Sequence, residues 1–170
     1  ARKMSWLGIS KDTYSRASAG NYAWKYDVEY VGFKYNGNSV MAAMALVGLK
    51  YLDQDNARRR EIAFQYATAI AGFSGVTEVP TAPNCTSSRH LFQVRVSSRA
   101  DAIETLQRHN IFPGVHYTSN TEYVMYKHFS GSVENAEKAS KEILSLPMHV
   151  QMNDRDVERV IAALHEYSIS

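Results

Sequence analysis

The chain has little cysteine, little proline and almost no excess charge. Cys85 is the one cysteine in 170 residues, so no internal disulfide can form and a reducing compartment is the expected setting. Nineteen Lys and Arg face seventeen Asp and Glu, a formal net charge of +2. That balance excludes bulk charge as a reason to bind nucleic acid or an acidic membrane. The longest apolar run, residues 40–49, is about half of the roughly 20 residues that a membrane span needs. At the N-terminus, Ala1-Arg2-Lys3-Met4-Ser5-Trp6 leads into no apolar segment of the kind that marks a signal peptide. The glycine-rich dinucleotide fingerprint, the phosphate-binding P-loop and the Gly-x-Ser-x-Gly elbow are all missing. His90, His109, His116, His128, His149 and His165 pair with no other ligand at metal-site spacing. The expectation is a soluble, cytoplasmic, globular chain with no nucleic-acid, membrane or metal partner.

What is present argues for a packed core. Apolar residues make up 45% of the chain and charged ones 21%, with no low-complexity tract, so the sequence is not of the disordered kind. Its length suits one domain by itself. Residues 2–8 read as the last turn of a helix closed by Gly8, and residues 9–26 as a loop. From Asn38 the helical period is strong: Val40, Met41, Met44, Val47, Gly48, Tyr51 and Leu52 share one face. A second stripe follows in Ile62, Ala63, Tyr66, Ala67, Ile70 and Phe73, with Asp53-Gln54-Asp55-Asn56 between them as a kink or break.

Beyond Pro80 and Pro83 the period changes to two. Phe92, Val94 and Val96 alternate with polar residues as a half-buried strand does. Ser98 with Asp101, and Asn153 with Asp156, read as capping signals for two helices. Residues 111–117 and 144–149 read as further short strands, and Ala136, Ala139 and Ile143 as another helical face. The order strand, helix, strand, helix, strand, helix predicts a small three-stranded sheet covered by helices on one face.

Two segments stand out chemically. Gly32-Phe33-Lys34-Tyr35-Asn36-Gly37-Asn38-Ser39 brings a Lys and an Asn beside the unpaired amides of a helix opening near Asn38. Such a place suits an anionic phosphate; a capped helix with a solvated Lys is the other reading, and the sequence leaves both open. Val115-His116-Tyr117 ends a predicted strand, and its His and Tyr can donate to a sugar or phosphate; a partly buried edge pair is the alternative. Arg58-Arg59-Arg60 reads as a solvated or ion-paired helix face.

Several stretches together resemble the C-terminal part of the DegT/DnrJ/EryC1/StrS sugar aminotransferases. They are Trp6-Leu7-Gly8-Ile9-Ser10-Lys11-Asp12, Tyr26-Asp27-Val28, Gly32-Phe33-Lys34-Tyr35-Asn36, Met41-Ala42-Ala43-Met44-Ala45-Leu46-Val47 and Leu49-Lys50-Tyr51-Leu52. They continue in Asn56-Ala57-Arg58-Arg59-Arg60-Glu61-Ile62-Ala63, His90-Leu91-Phe92-Gln93-Val94-Arg95, Gly114-Val115-His116-Tyr117 and Leu144-Ser145-Leu146-Pro147-Met148-His149. The matches run in the family's order over nearly the whole chain.

The resemblance implies an α/β chain of α+β character: the small C-terminal domain of a type I pyridoxal-phosphate aminotransferase. A three-stranded sheet with helices on one face would follow a long N-terminal helix. Residues 1–37 would be a remnant of the large domain with a cofactor-reaching loop, 38–75 an inter-domain helix and 76–170 the small domain. The reaction implied moves an amino group from glutamate to a keto nucleotide-sugar, leaving 2-oxoglutarate, in surface polysaccharide synthesis. The family's Schiff-base lysine lies upstream of the Gly8-Ile9-Ser10-like segment, in a context that neither Lys3 nor Lys11 shares, so no catalytic residue is expected here and these 170 residues alone should be inactive. Lys34 and Asn36 are the implied contacts to the cofactor phosphate of a neighbouring subunit in a homodimer. Many members carry Asn-Tyr-Arg there, and a larger residue at the Gly37 position. Tyr35, His116 and Tyr117 are the implied substrate-binding residues. A dehydratase or regulatory relative, and a stand-alone dimerisation module, are the rival readings.

Overall fold

A computed structural model describes residues 2–10, 27–35, 37–128, 131 and 133–170. The chain forms two compact units, Ala1–Tyr51 and Leu52–Ser170.

In the first unit, helix α1 (Arg2–Ser5) stops ahead of Leu7 and Gly8, which both take positive φ. The Gly8 amide reaches back to the Lys3 carbonyl at 2.9 Å, the kind of closure that glycine's freedom at φ +74° permits. Residues 4–9 then run antiparallel to residues 28–35, through bridges Trp6 to Lys34 and Ile9 to Val28. The two segments meet backbone to backbone. A Cβ on Gly32 would lie 2.7 Å from the Leu7 carbonyl carbon and 2.9 Å from the Met4 oxygen, and one on Gly8 would run into the Tyr30 carbonyl. Helix α2 (Ser39–Leu49) is apolar on every side and exposed throughout, Val40, Met44 and Leu46 included. Its first turn is closed by Asn38, whose Oδ1 accepts from the Met41 amide at 2.9 Å.

The second unit holds the core. Helix α3 (Leu52–Ile70) buries Ile62, Ala63, Tyr66 and Ile70, the stripe that the sequence predicts. The break falls at Lys50–Tyr51 rather than at residues 53–56. Asp53 and Asp55 sit in the first turn of α3, where carboxylates favour the positive end of the dipole instead of interrupting the helix.

Strands β1 (Val76–Glu78), β2 (Phe92–Val96) and β3 (Ile143–Leu146) pair antiparallel in the order β1-β2-β3. The sheet has three strands as expected, with a different membership. Residues 111–117 are a loop with one bridge, Gly114 to Ser145, since Pro113 has no N–H to give a ladder. β1 takes its place in the count. Alternation sends Phe92, Val94, Val96, Leu144 and Leu146 to one face, where all five are buried. Helix α4 (Arg99–Arg108) and helix α6 (Asp154–Ile169) complete that core with Ala102, Leu106, Val157, Val160 and Leu164.

Caps fix the helix starts. Ser98 Oγ accepts from the Asp101 amide, and Asn153 and Asp156 form a reciprocal capping box. Two contacts stitch the elements together: Tyr66 Oη donates to the Pro147 carbonyl at 2.9 Å, and Tyr167 Oη accepts from the Ser98 amide at 2.9 Å. Burial pushes the Tyr66 phenol well above its ordinary value. Helix α5 (Glu134–Glu142) packs on β2 and contributes no residue to the apolar core. No described helix is long and apolar enough to cross a membrane.

Candidate functional site

The second face of the sheet carries the polar phase of the same strands. Gln93 on β2 stands opposite Ser145 on β3, and both point away from the Phe92 core by alternation. The loop that follows α4 lies against this face. Gly114 and Ser145 exchange backbone hydrogen bonds at 2.9 and 2.8 Å. The Gln93 amide nitrogen donates to the His116 carbonyl at 2.7 Å, and His116 Nδ1 lies 2.9 Å from Ser145 Oγ.

Gly114 makes room for this arrangement. A Cβ there would lie 3.1 Å from His116 Nδ1 and closer still to Cε1, so any side chain would displace the imidazole. Tyr117 stands edge-on to His116, ring centroids 5.1 Å apart at 89°, and is 72% exposed as a residue. The peptide between the two is cis. Beyond Tyr117 opens a cavity of about 460 Å³ against α5, lined by Ser119 and Thr121 together with Val133, Ala139 and Ile143. The two hydroxyls are tied to each other and to α5: Ser119 Oγ lies 2.8 Å from Thr121 Oγ1, which donates to Glu137 at 3.1 Å.

In the first unit, Lys34 and Tyr35 lie on the extended segment that pairs with residues 4–7. Lys34 Nζ sits 3.6 Å from the centroid of the Trp6 ring, a cation–π contact. Among the described residues no carboxylate pairs with this ammonium. Tyr35 faces the opposite way and stacks on Phe33, centroids 5.0 Å apart and 6° between planes, with an exposed ring. Asn36 lies outside the described residues. The indole N–H of Trp6 is buried with no acceptor among the described residues.

The structure therefore brings His116 and Tyr117 together in the second unit and places Lys34 and Tyr35 on opposite faces of one segment in the first. Sequence reasoning missed Gln93, Ser145 and Gly114, the residues that hold His116. One signal was available, a lone hydroxyl inside the apolar run Ile143-Leu144-Ser145-Leu146. Among the described residues no group of three or more His, Cys, Asp or Glu is placed to hold a metal ion.

Arg58 anchors α3 on the far side of the sheet. It donates to the Met152 carbonyl at 2.7 Å and pairs with Glu61 at 2.7 Å and Asp154 at 2.9 Å. Of the basic run, Arg58 thus serves ion pairing. The hydrogen bond from Arg58 holds the Asp154 carboxyl below the usual range, and that from His109 does the same for Glu166.

The sequence profile of the DegT/DnrJ/EryC1/StrS aminotransferase family matches residues 1–165. Among solved structures, the aminotransferase TlmJ of Streptoalloteichus hindustanus is 29% identical at a TM-score of 0.76, over 98% of this chain and 43% of that one. A sugar aminotransferase of Streptococcus pneumoniae in its PMP form is 26% identical at a TM-score of 0.80, over 99% and 44%. DesV of S. venezuelae, solved with a ketimine intermediate, is 27% identical at 0.79, over 91% and 43%. The chain spans less than half the length of the structures it matches.

Proposed function

Because the chain belongs to the DegT/DnrJ/EryC1/StrS aminotransferase family, we propose that it supplies the small domain and the joining helices of a pyridoxal-phosphate-dependent sugar aminotransferase. The amino group comes from glutamate, which leaves as 2-oxoglutarate, and goes to the keto carbon of a nucleotide-linked sugar. The setting is cytoplasmic, the assembly a homodimer, and the product feeds surface polysaccharide. When bound, pyridoxal phosphate supplies a carbonyl that condenses with the amine and a ring that accepts the electron pair.

The donors present suit the phosphate end of that group. Lys34 offers an exposed ammonium that no described carboxylate neutralises, held at one height by the Trp6 face. Asn36, two residues on, is the second proposed donor. Together they would bind a phosphate dianion in charge-assisted hydrogen bonds. No lysine of this sequence stands in the family's Schiff-base context, so the 170 residues alone bind the cofactor poorly and transfer nothing.

For the sugar, His116 and Tyr117 present an imidazole and an exposed tyrosine, the latter lining a cavity that mixes hydroxyl and apolar side chains. That mix suits a hydroxyl-bearing ring with a less polar face. Tyr35, in the other unit, is proposed as a substrate contact in its own right, through the exposed ring that stacks on Phe33. The observation that carries the reading is the fixed His116, pinned by Ser145 and Gln93 on a chain whose residues 1–165 match the family profile.

The test uses the complete enzyme. Lys34→Ala with Asn36→Ala should weaken pyridoxal-phosphate binding, each lost partner being worth about 1.5–3 kcal/mol. Absorbance titration of the apoenzyme reads this directly. Unchanged affinity would refute the phosphate role, and an unchanged KM for the nucleotide-sugar in His116→Ala would refute the sugar role.

A further inference from the structure

The contact between Ser145 and His116 defines which ring nitrogen faces outward. Ser145 is 2% exposed, and its hydroxyl has one described partner, His116 Nδ1 at 2.9 Å. A hydroxyl carries one proton to donate. Were Nδ1 protonated, it would give its hydrogen to Oγ, and the Ser145 proton would then be buried with no acceptor among the described residues. An unsatisfied buried donor is the unfavourable case. The hydroxyl therefore donates and Nδ1 accepts, which puts the imidazole proton on Nε2. Nε2 makes no hydrogen bond to any described residue, and it is not among the buried unpartnered atoms. It is an N–H donor open to an incoming group.

We infer that Ser145 is a positioning residue of the substrate site: it sets His116 in the Nε2–H form, so that a neutral imidazole donates to an acceptor oxygen of the nucleotide-sugar. The last clause rests on the sugar role proposed above. Gln93 and Gly114 serve the same end, one holding the His116 carbonyl and the other leaving space for the ring. An acceptor oxygen, whether on a sugar hydroxyl, a carbonyl or a diphosphate, is what this donor recognises; a substrate group that is itself only a donor finds no partner here.

Two measurements test this. In the ¹⁵N-labelled 170-residue chain at about pH 8, above the ordinary imidazole range, long-range ¹H–¹⁵N correlation should show His116 protonated at Nε2. The signal is assigned by its loss in His116→Gln. A proton on Nδ1 overturns the inference, whatever the substrate. In the complete enzyme, Ser145→Ala should raise the KM for the nucleotide-sugar about three- to tenfold, the reach of one hydrogen bond. The KM for glutamate should stay put, and Ser145→Thr should restore the KM for the sugar. In a His116→Ala background, Ser145→Ala should add nothing, as expected of one residue acting through another. An equal added effect there, or no effect in the parent, overturns the inference while leaving the sugar role standing. An unchanged KM in His116→Ala itself removes the sugar role and the inference with it.

Discussion

Replacing Gly114 by alanine perturbs the site with one methyl group. The new Cβ would lie 3.1 Å from His116 Nδ1 and nearer still to Cε1, whereas carbon atoms pack at about 3.5–4.0 Å. The backbone at Gly114 is fastened to Ser145 by two hydrogen bonds, so the ring must yield by about 1 Å. From 2.9 Å, such a shift takes the bond to Ser145 out of hydrogen-bonding range. The direct loss is about 0.5–1.5 kcal/mol, and the buried Ser145 hydroxyl left unpaired adds about 1–3 kcal/mol unless water reaches it. The expected destabilisation is about 2 kcal/mol, read as a lowered urea midpoint at unchanged m-value. Gly72→Ala is the control, because nothing lies within 4 Å of its Cβ; its effect should stay within about 0.5 kcal/mol. Should Gly114→Ala match the control while the His116–Ser145 contact persists in its structure, the steric account of this glycine is wrong.

Other expectations follow from the core and the ion pairs. Phe92 is fully buried between the Tyr66 ring and its strand neighbours, so Phe92→Ala should cost about 3–5 kcal/mol by denaturant unfolding. Asp154 and Glu166 are held below their ordinary values by Arg58 and His109 respectively. Their stabilising contribution is complete above the unfolded carboxylate value of about 4 and is lost as pH falls through the lower folded values. Thermal melts from pH 5 to pH 2 should therefore show a decline that Asp154→Asn reduces; a melt with the same acid slope in that variant would exclude the Arg58 pair as a cause.

Helices were legible where a helical period or a capping residue stood out. The Ile62–Ile70 stripe, the Ser98 cap and the Asn153–Asp156 box all sit where local chemistry puts them. β1 was not legible, because three residues cannot display an alternation and its partner lies in β2. Residues 111–117 were misread because Ile111, Phe112 and Val115 look strand-like; Pro113 decides against a ladder, and Ile111 is buried in the core while the loop continues onto the other face of the sheet. The acidic residues after Leu52 look like a break and act as a helix start. As for the site, His116 and Tyr117 stood out by their own chemistry and the resemblance gave them a role, whereas Gln93 and Ser145, which orient His116, come from strands far apart in sequence. Their meeting depends on register, which no single segment encodes.

Gly8 and Gly32 differ in kind from Gly114. A methyl on Gly114 collides with a ring that can swing aside, whereas methyls on the other two collide with peptide groups of the facing segment. No rotamer relieves that clash, and no companion change elsewhere can shrink a main chain. The crossing of residues 4–9 with residues 28–35 is thus a joint without adjustable parts. Drift in its sequence can act on the side chains that flank it but not on the two bare positions at its centre.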